Sequence, residues 1–405
     1  MRGGEGTSGG GGGGAGVTAV RGHNDALVLD LLRGAGPDGI SRLEIAERTG
    51  LTPQAVSKIT ARLRGVGLVA EAGQRASTGG KPRTVLRLVP EAGRAVGLHL
   101  DRDSLTAVLV DLSGALIAER RAPLDFGAGG EAVVEAAAAE VAGLLGEGGA
   151  GEMAGRPGGL GEVRSEGHGD GAGRPGVLGV GVALPGPLDH RQGMLHRVTG
   201  FPEWDGFPLR KALRRRLGLP VVVDKDTNAA ALGLALAGAT VSPRGSFAYL
   251  HLGTGLGAGL VLGGSVYRGE RTGAGEFGHQ VLQLDGPACE CGNRGCVEAL
   301  CLAAVGRGAI DEAARVLGEG AANLVSLLDI DLVLLGGQAI AAAPQRFVRG
   351  VGAVVDERAR RGGAIAGVPV RMAGGAERVV ADGAAQLLLA PLFGRANVAF
   401  PANRN

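Results

Sequence analysis

Cys289, Cys291 and Cys296 fall within eight residues, and His279 precedes the first of them by ten. Three thiolates and one imidazole form a closed ligand set for structural zinc, with no position left open for catalysis. Gly292 and Gly295 lie between the cysteines and let the loop wrap an ion. Cys301 competes with His279 for the fourth place, which would then be all-thiolate, or it is a buried helix thiol. Four cysteines in 405 residues do not make a secreted disulfide scaffold. Clustered in this way they point to a metal in a reducing cytoplasm.

A second constellation is VVVDKDTNAAALG (221–233), an apolar strand ending in Asp224-x-Asp226-x-Asn228 and running into an Ala-rich helix. A carboxylate at the carboxyl end of a parallel strand stands where open α/β sheets bind ligands. Asp226 is placed to take a proton, or accept a hydrogen bond, from a ligand hydroxyl; the alternative is a helix N-cap. The third is HLGTGLGAGLVLGG (251–264), two strands around a Gly-rich turn. Its backbone N–H groups and Thr254 suit an anion or a sugar oxygen, although a tight hairpin has the same sequence.

A different chemistry is written near the start. Ser41 followed by Glu44 is a capping box, Gly50 ends that helix, and Thr52-Pro53 opens the next. The second helix presents Thr52, Gln54, Ser57, Lys58 and Arg62 outward, opposite a stripe of Val56, Ile59 and Leu63. Gln and Ser suit base edges, and Lys and Arg suit phosphates or guanine. Two short strands follow, LVAEAG and TVLRLV, joined by a turn with Gly79-Gly80 and carrying Arg75, Lys81 and Arg83. With the helix over 23–34 this predicts a winged helix-turn-helix that reads DNA. A small packing module with a solvated basic face is the alternative.

These elements sit in an uneven chain. Residues 17–90 carry eleven Lys/Arg against six Asp/Glu, within a whole of net charge +2. Such a basic segment ahead of a slightly acidic remainder fits a nucleic-acid module attached to something else. Of the 78 Gly, many lie in 1–16 and 146–176, stretches too poor in apolar surface to order themselves. His168 and Asp170, in the second stretch, therefore read as solvated loop. From residue 94 strands alternate with helices, predicting an α/β fold with mostly parallel central strands and three-strand openings to each half. No apolar run approaches the roughly 18 residues of a membrane span, and no signal peptide is expected.

Taken together, ALPGPLD (183–189), FPEWDGFPL (201–209), DKDTNAAALG, GTGLGAG, GAGEFGH, CECGNRGCVE and LLGG (334–337) resemble the ROK family of repressors, open reading frames and kinases. The resemblance runs from about residue 17 to the end. It implies a two-lobed actin/hexokinase-like (ribonuclease H-like) sugar-kinase fold over 91–405, preceded by a winged helix-turn-helix over 17–90 as in the family's N-acetylglucosamine and xylose repressors. It also implies sugar contacts from Gly186, Lys225, Asp226, Glu276, His279 and Glu298, with His279 the fourth zinc ligand beside Cys289, Cys291 and Cys296.

Departures separate regulator from kinase. Family kinases open with a D-x-G-G-T turn that cradles ATP phosphates, whereas this chain has Asp103, Ser104 and Leu105 in HLDRDSLTAVLVD. Bulk and an extra carboxylate there oppose a triphosphate, leaving Asp226 a vestigial base. Lys225 replaces the usual Asn before the acid, and Gly200 replaces an Asn before the Trp. These changes point to an unusual or phosphorylated sugar, with Lys225 suited to its anion. The sequence thus predicts a cytoplasmic sugar-responsive repressor, a homodimer or homotetramer on operator DNA, with a sugar kinase bearing a DNA module as the alternative.

Overall fold

Local signals set the helices of the first part of the chain. In the computed structural model, which describes residues 22–75, 83–150, 176–198, 200–239, 245–363, 367–375 and 377–395, two compact units are distinct. The first holds Met1–Gly93 with Leu392–Gly394, and the second Arg94–Pro391 with Arg395–Asn405. The first unit runs α1 (His23–Ala35), β1 (Ile40–Ser41), α2 (Arg42–Thr49), α3 (Pro53–Gly65), β2 (Val69–Arg75) and β3 (Arg83–Leu88). Ser41 Oγ accepts the Glu44 N–H at 3.3 Å while the Ser41 N–H donates to the Glu44 carboxylate at 2.9 Å, closing the capping box. Gly50 ends α2 at φ 70°, and Thr52 Oγ1 accepts the Ala55 N–H at 3.2 Å to start α3. The inward stripe Val56, Ile59 and Leu63 is buried with Leu29, Leu32, Ile45 and Leu86. β1 joins the hairpin in the order β1-β3-β2. At two residues it was too short to show any alternation in the sequence.

The second unit contains two five-stranded sheets. The first is made of β4 (Arg94–Leu100), β5 (Ser104–Asp111), β6 (Leu116–Pro123), β7 (Val177–Leu184) and β10 (Val221–Lys225), with α4 (Gly130–Ala150), the short hairpin β8 (Leu188–Asp189) and β9 (Met194–Leu195), and α5 (Leu209–Leu217) between them. The second, reached through α6 (Asp226–Leu236), is made of β11 (Phe247–Leu252), β12 (Leu256–Leu262), β13 (Ser265–Val266), β14 (Leu332–Gly336) and β15 (Val370–Met372), with α7 (Val297–Gly306), α8 (Ile310–Leu328), α9 (Gln338–Ala341) and α10 (Pro344–Arg361). α11 (Val379–Leu389) ends the order of helices.

The strand orders are β10-β7-β4-β5-β6 and β13-β12-β11-β14-β15. The expected three-strand openings are present, while the expectation of mostly parallel central strands needs correction: each sheet has two parallel and two antiparallel pairings. Each half opens as an antiparallel meander, and only strands reached through helices can add in parallel. Between the sheets, α6 and α11 pack through small side chains. Gly97 on β4 and Gly181 on β7 lie so close to α11 that a Cβ on either would strike the carbonyl oxygens of Ala381 and Ala384. Part of the Gly and Ala excess is therefore packing.

Candidate functional site

The carboxyl ends of several strands converge on one cleft of the second unit. β7 and β10 pair in parallel with Leu184 opposite Lys225, which brings Gly186 beside Lys225 and Asp226. The β4–β5 turn supplies Asp101 and Arg102, the end of β11 supplies His251, and the β11–β12 turn supplies Thr254. Glu276 and His279 arrive on the loop before α7, and Glu298 on its first turn. All six residues that the family resemblance assigned to the sugar (Gly186, Lys225, Asp226, Glu276, His279 and Glu298) line this single cleft of about 700 Å³, part of it open to solvent.

The cleft is charged but internally paired. Burial pushes the Asp226 carboxyl up to about 7, with Asp101 and Glu276 adding to the rise and the Thr227 N–H opposing it. The Lys225 ammonium donates to Glu276 Oε1 at 2.9 Å and to Ala274 O at 2.5 Å. Lys225, expected from the sequence to suit a ligand anion, is here paired with Glu276. Glu298 accepts the Leu256 N–H at 2.7 Å. Burial pushes His251 down to about 4, keeping it neutral, with Nδ1 2.9 Å from Tyr249 Oη.

Behind the cleft, Asp224 takes Arg268 Nε at 2.6 Å and Asn228 Nδ2 at 2.9 Å. This buried pair joins the end of β10 to the loop after β13. Sequence reasoning missed Arg268, Arg102 and His251. His251 and Arg102 carried a signal, since they stand in the Gly-rich motif 251–264 and in the altered β4–β5 turn, whereas Arg268 carried none.

The metal cluster assembles beside the cleft. One ligand atom from each of His279, Cys289, Cys291 and Cys296 lies within 4.8 Å of all the others. His279 Nδ1 faces Cys289 Sγ at 3.7 Å, and Cys291 and Cys296 are 3.7 Å apart. Three thiols and an imidazole at this spacing fit one ion of tetrahedral preference. Cys301 is elsewhere, buried in α7 with its Sγ 3.6 Å from Ala313 O. His279 thus belongs to both the cluster and the cleft lining.

In the first unit, Thr52, Gln54, Ser57, Lys58 and Arg62 are exposed along α3. Arg62 is shared, because its guanidinium pairs with the buried carboxylate of Asp25 on α1. Gln54, Ser57 and Lys58 are the long or polar outward groups of α3 left to meet a partner. Arg83 is exposed at the start of β3, and Arg75 is described in its main chain alone. Lys81, Gly79, Gly80, His168, Asp170 and the stretch 1–16 lie outside the described residues, as does most of 146–176. No described helix is long and apolar enough to cross a membrane.

Two sheets of this topology around a cleft define an α/β sugar-kinase-like architecture, and comparison with known proteins agrees. Residues 171–307 match the ROK family. The ROK hexokinase of Thermus thermophilus is 31% identical, with 74% of this chain covering 98% of that one at a TM-score of 0.55. The chain belongs to the ROK family, and its second unit has the actin/hexokinase-like fold. The DNA-binding transcriptional dual regulator NagC of Escherichia coli is 31% identical over 297 residues, 73% of this chain and 66% of that protein. A ROK family transcriptional regulator, homologous to the Mlc protein of E. coli, matches in fold over 92% of this chain and 96% of its own at a TM-score of 0.70 and 20% identity.

Proposed function

We propose that this chain is a cytoplasmic, sugar-responsive transcriptional regulator, a repressor that binds operator DNA through its first unit and a small sugar through its second. The observation that carries the reading is the pairing of two sites in one chain. One is a capped α3 with Gln54, Ser57 and Lys58 outward; the other is a cleft lined by Asp226, Glu276, His279 and Glu298. In this reading α3 enters the major groove, with Gln54 and Ser57 on base edges and Lys58 and Thr52 on the backbone. Arg75, Lys81 and Arg83 serve the wing. A homodimer or homotetramer would place two such heads on a pseudo-palindromic site. The resemblance to NagC, a DNA-binding regulator, supports the assignment.

Zinc is the metal that His279, Cys289, Cys291 and Cys296 would hold, and when bound it acts as a structural cross-link of the loop. Through His279 the loop then fixes one wall of the cleft. Carboxylates and imidazoles here accept from, and donate to, sugar hydroxyls. The β4–β5 turn and the start of β5 carry Asp103, Ser104 and Leu105 in place of the two glycines and Thr of a phosphate cradle, which argues against phosphoryl transfer. The alternative, a sugar kinase with a DNA module, would be favoured by sugar-dependent ATP consumption that Asp226→Ala abolishes. The decisive test is sequencing of DNA recovered with the protein, with and without candidate sugars. A shared motif that one sugar depletes or enriches is expected, and Asp226→Ala should keep the motif and lose the sugar effect. Random DNA would refute the regulator reading.

A further inference from the structure

Lys225 is enclosed on every side that its charge could use. Its side chain is 4% exposed, and its ammonium lies 2.9 Å from Glu276 Oε1 and 2.5 Å from Ala274 O. The stem passes directly over Gly186, where a Cβ would come within 2.8 Å of Lys225 Cδ. It leaves the end of β10, crosses the cleft and binds the loop that follows β13. Behind the cleft, the adjoining pair Asp224–Arg268 also ties the end of β10 to the loop after β13, with side chains 2% and 9% exposed. Lys225 is thus a fixed strut rather than a mobile cation.

We infer that Lys225 determines which sugars the cleft accepts: with its charge cancelled by Glu276 from within, the cleft takes an uncharged sugar and rejects its phosphate ester. This deepens the sugar reading proposed above and rests on it. Asp101, Glu276 and Glu298 line the cleft against Lys225 and Arg102 alone. Arg102 in turn faces Glu290 at 3.8 Å and lies over the Phe201 ring at 5.5 Å. A phosphate dianion would enter a site where acids outnumber bases, and like charges at close range in a low dielectric repel strongly. Neutral hydroxyls meet no such barrier and find carboxylate acceptors.

Calorimetry on the full chain tests this, with D-glucose, N-acetyl-D-glucosamine and D-xylose, each against its phosphate ester. At least one free sugar should bind about tenfold or more tighter than its ester. Glu276→Gln keeps the shape but removes the counter-charge, and should move that ratio about tenfold toward the ester. Lys225→Met keeps the stem over Gly186 and should move it the opposite way. Thermal unfolding of both variants checks that they fold. An ester that binds the unaltered chain as tightly as its parent sugar overturns the inference, as does a ratio that Glu276→Gln leaves in place. Absence of heat from every compound overturns the sugar reading itself, and selection of an operator motif would still stand apart from that failure.

Discussion

Asp226 holds its proton to about pH 7 in the folded chain, chiefly because burial penalises the carboxylate, whereas its ordinary value is 3.8. As pH rises through that window the unfolded chain releases a proton that the folded chain keeps. Stability therefore falls from about pH 4 to about pH 7 and is level above it. Asp226→Asn removes this slope. It should stabilise the chain by on the order of 4 kcal/mol near pH 8 and by almost nothing near pH 4. Urea unfolding at both values checks it, and an equal gain at each would assign the effect to packing instead. Gly186 belongs to the same scale. Gly186→Ala would push its methyl against Lys225 Cδ and displace the strut, so weaker sugar binding by about tenfold is expected from calorimetry. Asp226, Glu276 and His279 were legible as motif residues in the sequence. Arg268 was not, because a lone Arg in a polar loop reveals nothing of the buried Asp224 it meets.

At the scale of elements, the caps were the most readable part of the chain, since Ser41/Glu44 and Thr52-Pro53 act within four residues of themselves. Removing the α3 cap by Thr52→Ala should cost about 1 kcal/mol. Lys58→Ala should leave the fold intact and lower the salt dependence of DNA binding by about one phosphate contact, read as the slope of log affinity against log salt. The metal loop was legible in spacing, and its fourth ligand only through the family resemblance, because ligand chemistry alone admits both His279 and Cys301. The geometry separates them: Cys301 on α7 faces Ala313 O of α8, and His279 faces Cys289. Metal analysis should find one zinc per chain, kept by Cys301→Ser and lost in His279→Ala. Chelation should weaken sugar binding while leaving the circular dichroism of the helices nearly unchanged, since the loop 280–296 contains neither helix nor strand.

For the whole molecule, the glycine count hid two unlike things, composition-biased stretches and the tight seat of α11 on β4 and β7. Only contacts distant in sequence tell them apart. The larger question is whether the two compact units act as one device, and thermodynamics makes that measurable from either end. If a sugar changes operator affinity by some factor, the operator must change sugar affinity by the same factor. A regulator of useful range needs a coupling of about 1–3 kcal/mol, which is roughly five- to 150-fold. We expect saturating sugar to shift operator binding within that range, and saturating operator to shift sugar binding equally, with both measured at one salt concentration. Lys58→Ala should lower operator affinity with and without sugar and leave the ratio unchanged, because α3 acts at the DNA alone. Asp226→Ala should abolish the ratio and leave the sugar-free operator affinity as it was. Independent binding in both directions would mean that the cleft senses nothing on behalf of the DNA-reading unit, whatever sugar it holds.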